Sequence, residues 1–164
     1  MDSINIQDDF ISEDKFKSIQ GILLGEDFPW FYSAFPEGNS HPKEQAILLS
    51  HYFYGLLKPV SDYFNMLTPL IEKIKPHALI RIKANSYPCT TSIVEHQDHT
   101  DYSYDCLTSI FYINTNDGYT RFKDGPIIKS VANRFVTFPT QLLHCSTGCT
   151  NVKMRCNINF NYFG

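Results

Sequence analysis

Residues 153–163 read KMRCNINFNYF, and the fold turns on how that stretch is read. Arg155, Asn157, Asn159 and Asn161 alternate with Met154, Cys156, Ile158, Phe160 and Tyr162. Successive side chains of an extended strand point to opposite faces, so this is a strand with one polar and one apolar face. Two arrangements satisfy it. In the commoner one, the polar row meets water and the apolar row meets the core. In the other, the apolar row turns outward beneath helices and the polar row lines a hydrophilic cavity. Arginine and asparagine are costly to bury without partners, so the second arrangement makes sense only if something polar binds inside.

The rest of residues 77–164 has a similar texture. ALIRIKANSY, LTSIFYIN, YTRFKD, PIIKSV, RFVTFP and LLHCS are short strand candidates, with NDG and KDG supplying tight turns. Strands at this spacing predict an antiparallel sandwich or barrel. Residues 1–76 are richer in helix. Ser12 is placed to cap a helix through EDKFKSIQGILL, with Phe16, Ile19 and Leu23 on one face. A second helix is expected in VSDYFNMLTPLIEKI, with Ser61 as cap and Tyr63, Met66, Leu67, Leu70 and Ile71 as its stripe. Pro69 kinks it or sets a later start, and Pro76 ends it. Between the helices, DFPWFYSAFPEGNSHPKE reads as a strand and a long loop, and AILLSHYFYG as a buried strand or short helix. The expected architecture is α+β and mainly β, a jelly roll with N-terminal helices packed on one sheet. It forms a single domain, 1–164, in which residues 1–76 serve as helix-rich support and lid for a core of residues 77–164.

Composition narrows the function classes. A chain of 164 residues with 43% hydrophobic and 15% aromatic content can bury a core without staples. Fourteen basic against seventeen acidic residues, a formal charge of -3, leave no polyanion footprint, so nucleic acid is not an expected partner. MDSINIQDDF has neither a basic leader nor an apolar run, and no stretch approaches a membrane span. With five cysteines, an odd number, the expectation is a cytoplasmic protein with reduced thiols and no membrane partner.

The chemistry concentrates in IVEHQDHTDYSYD, residues 93–105. His96 and Asp98, one residue apart, project from the same face of an extended chain and suit one metal ion. His144, in FPTQLLHCSTG, is the best third ligand. Two histidines and a carboxylate on one face of an octahedral ion leave the other face open, as in non-heme Fe(II) oxygenases. Singly, each residue has a plainer reading, a surface or hydrogen-bonded histidine or a turn aspartate. Arg155 changes the balance, because on the next predicted strand it carries a permanently charged fork shaped for a carboxylate. An open metal face plus a carboxylate receptor is what a 2-oxo dicarboxylate requires. Tetrahedral zinc at His144, Cys145, Cys149 and Cys156 is the competing metal reading, weakened by the lack of a Cys-x-x-Cys pair. Two further rows share faces: Arg81, Lys83, Asn85 and Tyr87, and Thr108, Ile110, Tyr112 and Asn114. Turned inward they add cationic, amide and phenol groups to one cavity; turned outward they are solvated or ordinary packing.

With the strand pattern between them, His96-x-Asp98, His144 and Arg155 resemble the Fe(II)/2-oxoglutarate-dependent dioxygenases, especially their prolyl-hydroxylase-like branch. The resemblance covers roughly residues 77–164 and only loosely the helices before them. LTSIFYIN is similar to that branch's TxxYYLN strand, NDGYTRF to its GGxTxF turn with the first glycine replaced, and NRFVTFPTQLLH to its approach to the distal histidine, with Asn133 at a usual glycine. The resemblance implies a double-stranded β-helix and Fe(II) held by His96, Asp98 and His144. It implies that Arg155 and Tyr112 anchor the distal carboxylate of 2-oxoglutarate, with Tyr87 near its other end. Asn157 stands where many relatives have Ser or Thr. The implied activity is O2-dependent hydroxylation of an unactivated C–H bond, releasing succinate and CO2, with ascorbate as reductant in assay. Retention of Asp98 argues against halogenation. His99-x-Asp101 repeats the spacing of His96-x-Asp98; spacing cannot choose between them, and the family distance to Tyr112 favours the first pair. The implied substrate is a prolyl or other peptidyl side chain, with a free amino acid or other small molecule as the alternative. Candidate substrate contacts are Arg81, Lys83, Asn85, Trp30 in the aromatic loop with Phe31, Tyr32 and Phe35, and Tyr104 in the acidic loop. A non-catalytic jelly-roll module that only binds metal and ligand is the rival from another class.

Overall fold

The computed structural model describes residues 4–33 and 47–164. Phe35 and the loop expected around it lie outside the described residues. The chain enters with β1 (Asn5–Gln7) and α1 (Glu13–Leu23), then β2 (Phe31–Ser33), β3 (Leu48–Gly55) and β4 (Lys58–Pro59). A 3-10 turn over Phe64–Leu67 leads into α2 (Thr68–Ile74). Pro69 at the start of α2 explains the division: proline lacks an N–H but fits a first helical turn, so it sets a late start instead of a kink. Seven strands follow: β5 (Ala78–Pro88), β6 (Leu107–Tyr112), β7 (Tyr119–Phe122), β8 (Ile127–Lys129), β9 (Phe135–Pro139), β10 (His144–Ser146) and β11 (Met154–Phe163).

Among the described residues the strands form two antiparallel sheets. The larger runs β1-β9-β6-β11-β5-β3-β2, with β4 paired to β3, and the smaller runs β10-β7-β8. Residues 89–99 extend the smaller sheet through bridges Cys89–Cys149, Glu95–Thr147 and His99–His144. The N-terminal part is thus more than helical support, since β1 pairs with β9 and β3 with β5. No described helix is long and apolar enough to cross a membrane.

The central strand is β11, flanked by β5 and β6. Its Cys156, Ile158, Phe160 and Tyr162 join Ile82, Ala84 and Phe111 in a core with Phe16, Ile19 and Leu23 of α1 and Leu70 of α2. The helices therefore cover the apolar face of the larger sheet, and the second of the two arrangements open to KMRCNINFNYF is the one the fold adopts. Asn133, at the usual family glycine, takes a left-handed φ of 61°, a conformation asparagine tolerates. Its amide binds Ile11 in both directions, accepting from the N–H and donating to the carbonyl, which ties the N-terminal segment to the turn before β9.

Candidate functional site

The other face of the larger sheet carries rungs of polar residues. Along β11, Arg155 stands opposite Tyr87, Asn157 opposite Asn85 and Tyr112, Asn159 opposite Lys83 and Ile110, and Asn161 opposite Arg81 and Thr108. From β3, Ser50 lies beside Asn85 and Tyr52 beside Lys83. All of this looks toward the smaller sheet.

Arg155 is fully buried, at 0% exposure. Its Nε donates to Ser130 Oγ at 2.7 Å, Nη1 to the Thr147 carbonyl at 3.2 Å and Nη2 to Thr120 Oγ1 at 3.2 Å. Its guanidinium carbon lies 5.2 Å from the Tyr87 ring centre and 5.5 Å from that of Tyr112, whose phenol donates to Thr120 Oγ1. Burial raises the pKa of both phenols, against the Arg155 charge, so both remain hydrogen-bond donors. Among the described residues no carboxylate pairs with Arg155. Gly118 makes room for it: a Cβ there would stand 2.5 Å from Arg155 Cδ and 2.5 Å from the Gly148 carbonyl oxygen. Thr120, Ser130 and Thr147 were not singled out in the sequence. The alternation of YTRF could have flagged Thr120; nothing local marks the other two.

The register separates the two His-x-Asp pairs. His99 and His144 exchange both backbone hydrogen bonds, 2.9 and 3.1 Å, as directly opposed residues do. Their rings share a face with centres 4.6 Å apart. His144 is buried against Phe138 and Phe122, whereas His99 is exposed, so the pair opens to solvent at one side. Burial, then the neighbouring His99, lowers the His144 pKa and favours the neutral imidazole a metal needs. Asp101, two residues beyond His99, turns to the inner face. Its Oδ1 accepts from Arg81 Nη2 at 2.9 Å, and its Oδ2 from Thr108 Oγ1 at 2.8 Å and Asn161 Nδ2 at 3.1 Å. Burial alone would raise its pKa, but Arg81, His144 and these hydrogen bonds hold it below the usual value.

His96 and Asp98 are placed differently. The His96 N–H donates to the Ser146 carbonyl, and its ring packs 5.1 Å from that of Tyr87. The Asp98 carboxylate pairs with Arg121 at 3.2 Å, and Arg121 also grips Glu95. Arg121 lies between Thr120 and Phe122, both turned inward, so its side chain and Asp98 occupy the outer face of the smaller sheet. The structure turns the Asp98 carboxylate to Arg121, and its charge reaches His144 only as the weakest of the influences on that imidazole, after Asp101. Among the described residues no three His, Cys, Asp or Glu side chains enclose an ion as they stand.

The remaining expected contacts divide. Asn85 Nδ2 donates to Asn157 Oδ1 at 3.2 Å, leaving the buried Nδ2 of Asn157 without a hydrogen-bond partner. Lys83 lies 5.6 Å over the Tyr52 ring, its pKa lowered to about 8 by burial and by Arg81. Trp30 is corrected: half-buried, it packs edge-on against Phe28 at the margin of the helix-side core and not at the mouth of the polar face. Tyr104 is 44% exposed, beside Tyr102 and Phe163.

No family model matches the chain, and no curated protein matches it in sequence. Solved structures do match. A prolyl hydroxylase from Trichoplax adhaerens, in complex with a hypoxia-inducible-factor oxygen-degradation-domain peptide fragment, superposes with a TM-score of 0.70 at 12% identity, over 99% of this chain and 84% of that one. The fold is the double-stranded β-helix of the 2-oxoglutarate oxygenases. A Pseudomonas putida prolyl-4-hydroxylase gives 0.65 at 11% identity, over 100% and 94%. The α-ketoglutarate-dependent epimerase SnoN of nogalamycin biosynthesis gives 0.69 at 12%, over 99% and 78%. A double-stranded β-helix thus hosts more than one reaction, and the residues inside it must carry the functional argument.

Proposed function

We propose that this protein is an Fe(II)- and 2-oxoglutarate-dependent oxygenase, with His99, Asp101 and His144 as the metal ligands. One observation carries the reading: Arg155, a permanent charge at 0% exposure, has no carboxylate partner among the described residues. Burying such a charge costs several kcal/mol unless it is paired, on the order of what a bound carboxylate would return. The residues fit the missing groups. Two imidazoles on one face and the Asp101 carboxylate, close enough for its charge to act on His144, are the donors that an ion would draw into a facial set, and Arg155 with the Tyr112 phenol forms an anion receptor.

Bound iron with 2-oxoglutarate supplies O2 activation and oxidation of an unactivated C–H bond, with succinate and CO2 released. The chain's own work is placement. Arg155 and Tyr112 fix the distal carboxylate, Tyr87 packs on the same guanidinium, and Arg81, Thr108 and Asn161 orient the Asp101 carboxylate. The burial that raises the phenol pKa values also excludes water from the seat of the carboxylate. The proposed reaction is hydroxylation, of a prolyl or other peptidyl side chain or of a free amino acid or other small molecule.

Calorimetric titration with Fe(II) under argon, followed by 2-oxoglutarate, tests the reading alongside an ascorbate-supported succinate assay. Wild type and Asp98→Ala bind both and release succinate, while Asp101→Ala loses at least 100-fold in Fe(II) affinity. The reverse pattern restores the first His-x-Asp pair. Metal and 2-oxoglutarate binding without succinate from any substrate library leaves a binding module, and a wild-type protein that binds neither ends the proposal.

A further inference from the structure

Between the Arg155 rung and the Asp101 network lies a second cationic position, one of the candidate substrate contacts, with no partner yet named for it. Lys83 faces inward from β5 opposite Asn159, with Tyr52 beside it on β3. Its ammonium rests 5.6 Å over the Tyr52 ring, and among the described residues no carboxylate pairs with it. Arg81, the neighbouring cation, is committed to Asp101 and Asn161. Two amide atoms on neighbouring rungs of the same strand face are unfulfilled: the buried Oδ1 of Asn159, opposite Lys83, and the buried Nδ2 of Asn157, opposite Asn85, have no hydrogen-bond partner. Buried amide atoms are rarely left unpaired, so a cluster of them beside an unpaired cation marks a place where a polar ligand sits.

Access favours the substrate over the cosubstrate. Tyr52 and Ser50 also line a cleft of about 1060 Å³ that opens along the β2–β3 edge past Phe31, Tyr32 and His51. Lys58 also lines this cleft, and Tyr52 is the residue that links it to the Lys83 ladder position. The Lys83 rung lies four residues along β5 from the Tyr87 rung that faces Arg155, about 13 Å of strand. The two carboxylate carbons of a five-carbon diacid are separated by only about 5 Å.

Resting on the oxygenase reading, we propose that Lys83, with Asn159 across the ladder, is the receptor for an anionic group, a carboxylate or phosphate, on the substrate to be oxidised. This makes the substrate an acid that enters from the β2–β3 edge with its charged end at Lys83. The burial that depresses the empty amine toward neutrality also gives it reason to take an anion, which restores its charge.

The deciding measurement uses the wild-type protein, so it does not depend on a variant that may misfold. Wild-type protein loaded with Mn(II) and 2-oxoglutarate is treated with a limiting amine-acetylating ester, and modification at each lysine is read by peptide mass spectrometry. Acetate and inorganic phosphate serve as anionic probes and acetamide as the neutral control. At least one anion is expected to slow Lys83 modification fivefold or more, with acetamide inert and Lys123 and Lys129, both exposed and away from the cleft, unaffected. Acetate protection with phosphate inert identifies a carboxylate, and the converse a phosphate. Equal Lys83 rates with both anions and acetamide overturn the proposal, and so does protection by 2-oxoglutarate alone, which would assign Lys83 to the cosubstrate. Binding of 2-oxoglutarate is measured in the same samples. Anion protection without it sinks the oxygenase reading and leaves the receptor standing. Asn159→Leu, expected to weaken protection threefold, removes Asn159 from the receptor if it changes nothing.

Discussion

The two faces of β11 differ more than any two separate elements of the molecule. Toward the helices, Cys156, Ile158 and Phe160 are at 0% exposure in a continuous apolar core. Toward the smaller sheet, Arg155 is equally buried among hydroxyls, a carbonyl and aromatic faces. Burial is the same and the energetics are opposite. The apolar face gains from leaving water, at about 25 cal/mol per Å². The polar face loses by it, and its hydrogen bonds recover only part of the cost. One face holds the fold together, and the other is kept at the fold's expense.

The largest effect falls on the stabilising face. Phe160→Ala should cost about 3–5 kcal/mol in urea unfolding, because its ring lies in the core beside Phe135 and the cavity left behind adds to the lost transfer energy. The folded fraction should still bind 2-oxoglutarate within twofold of wild type. Arg155→Met should do the reverse. A loss of at least 100-fold in 2-oxoglutarate affinity, about 2.7 kcal/mol, is expected by calorimetry, with stability unchanged or raised, since a buried charge without a carboxylate partner is removed. Destabilisation of Arg155→Met on the scale of Phe160→Ala would erase the distinction between the faces. Gly118→Ala sits between these cases. Its Cβ would overlap Arg155 Cδ and the Gly148 carbonyl, so about 1–3 kcal/mol of stability should go, together with 2-oxoglutarate affinity as the guanidinium is displaced.

How much of this was legible beforehand follows from the same alternation. Both helices and most strands could be read because period-2 and helical patterns are local, whereas β1 and β4, at three and two residues, are too short to show a period. The inner rows of β5, β6 and β11 could also be read, because residues two apart share a face. Which face pointed inward could not be read, because the pattern is symmetric until helices cover one side. The two His-x-Asp pairs show a further limit. Equal spacing carries no information about register, and the pairing of His99 with His144 depends on residues far apart in sequence. Trp30 departs from its sequence expectation because an aromatic in a turn-rich segment reads as a surface loop, while in the fold it packs on Phe28 against the core.

The smallest effect belongs to the rim, where Arg134 has the carboxylate that Arg155 lacks. Arg134 Nε and Nη2 donate to the two oxygens of Asp8 at 2.6 and 2.9 Å. The Asp8 side chain is 54% exposed, so water and salt screen the pair and its worth should fall under about 1 kcal/mol. The Arg134 hydrogen bonds hold the Asp8 carboxyl below its usual value, with the Arg134 charge adding and slight burial opposing. A carboxyl whose folded pKa is depressed stabilises the fold above its unfolded pKa of about 4, and the contribution disappears as pH falls through the lower folded value. Urea midpoints of wild type and Asp8→Asn should therefore differ slightly at neutral pH and converge in acid. Divergence on acidification would mean that the pair is not what lowers the pKa. A neutral-pH difference as large as that of Phe160→Ala would mean that a solvated ion pair rivals the apolar core, and the contrast between a paired rim arginine and an unpaired interior one would no longer measure what Arg155 is kept for.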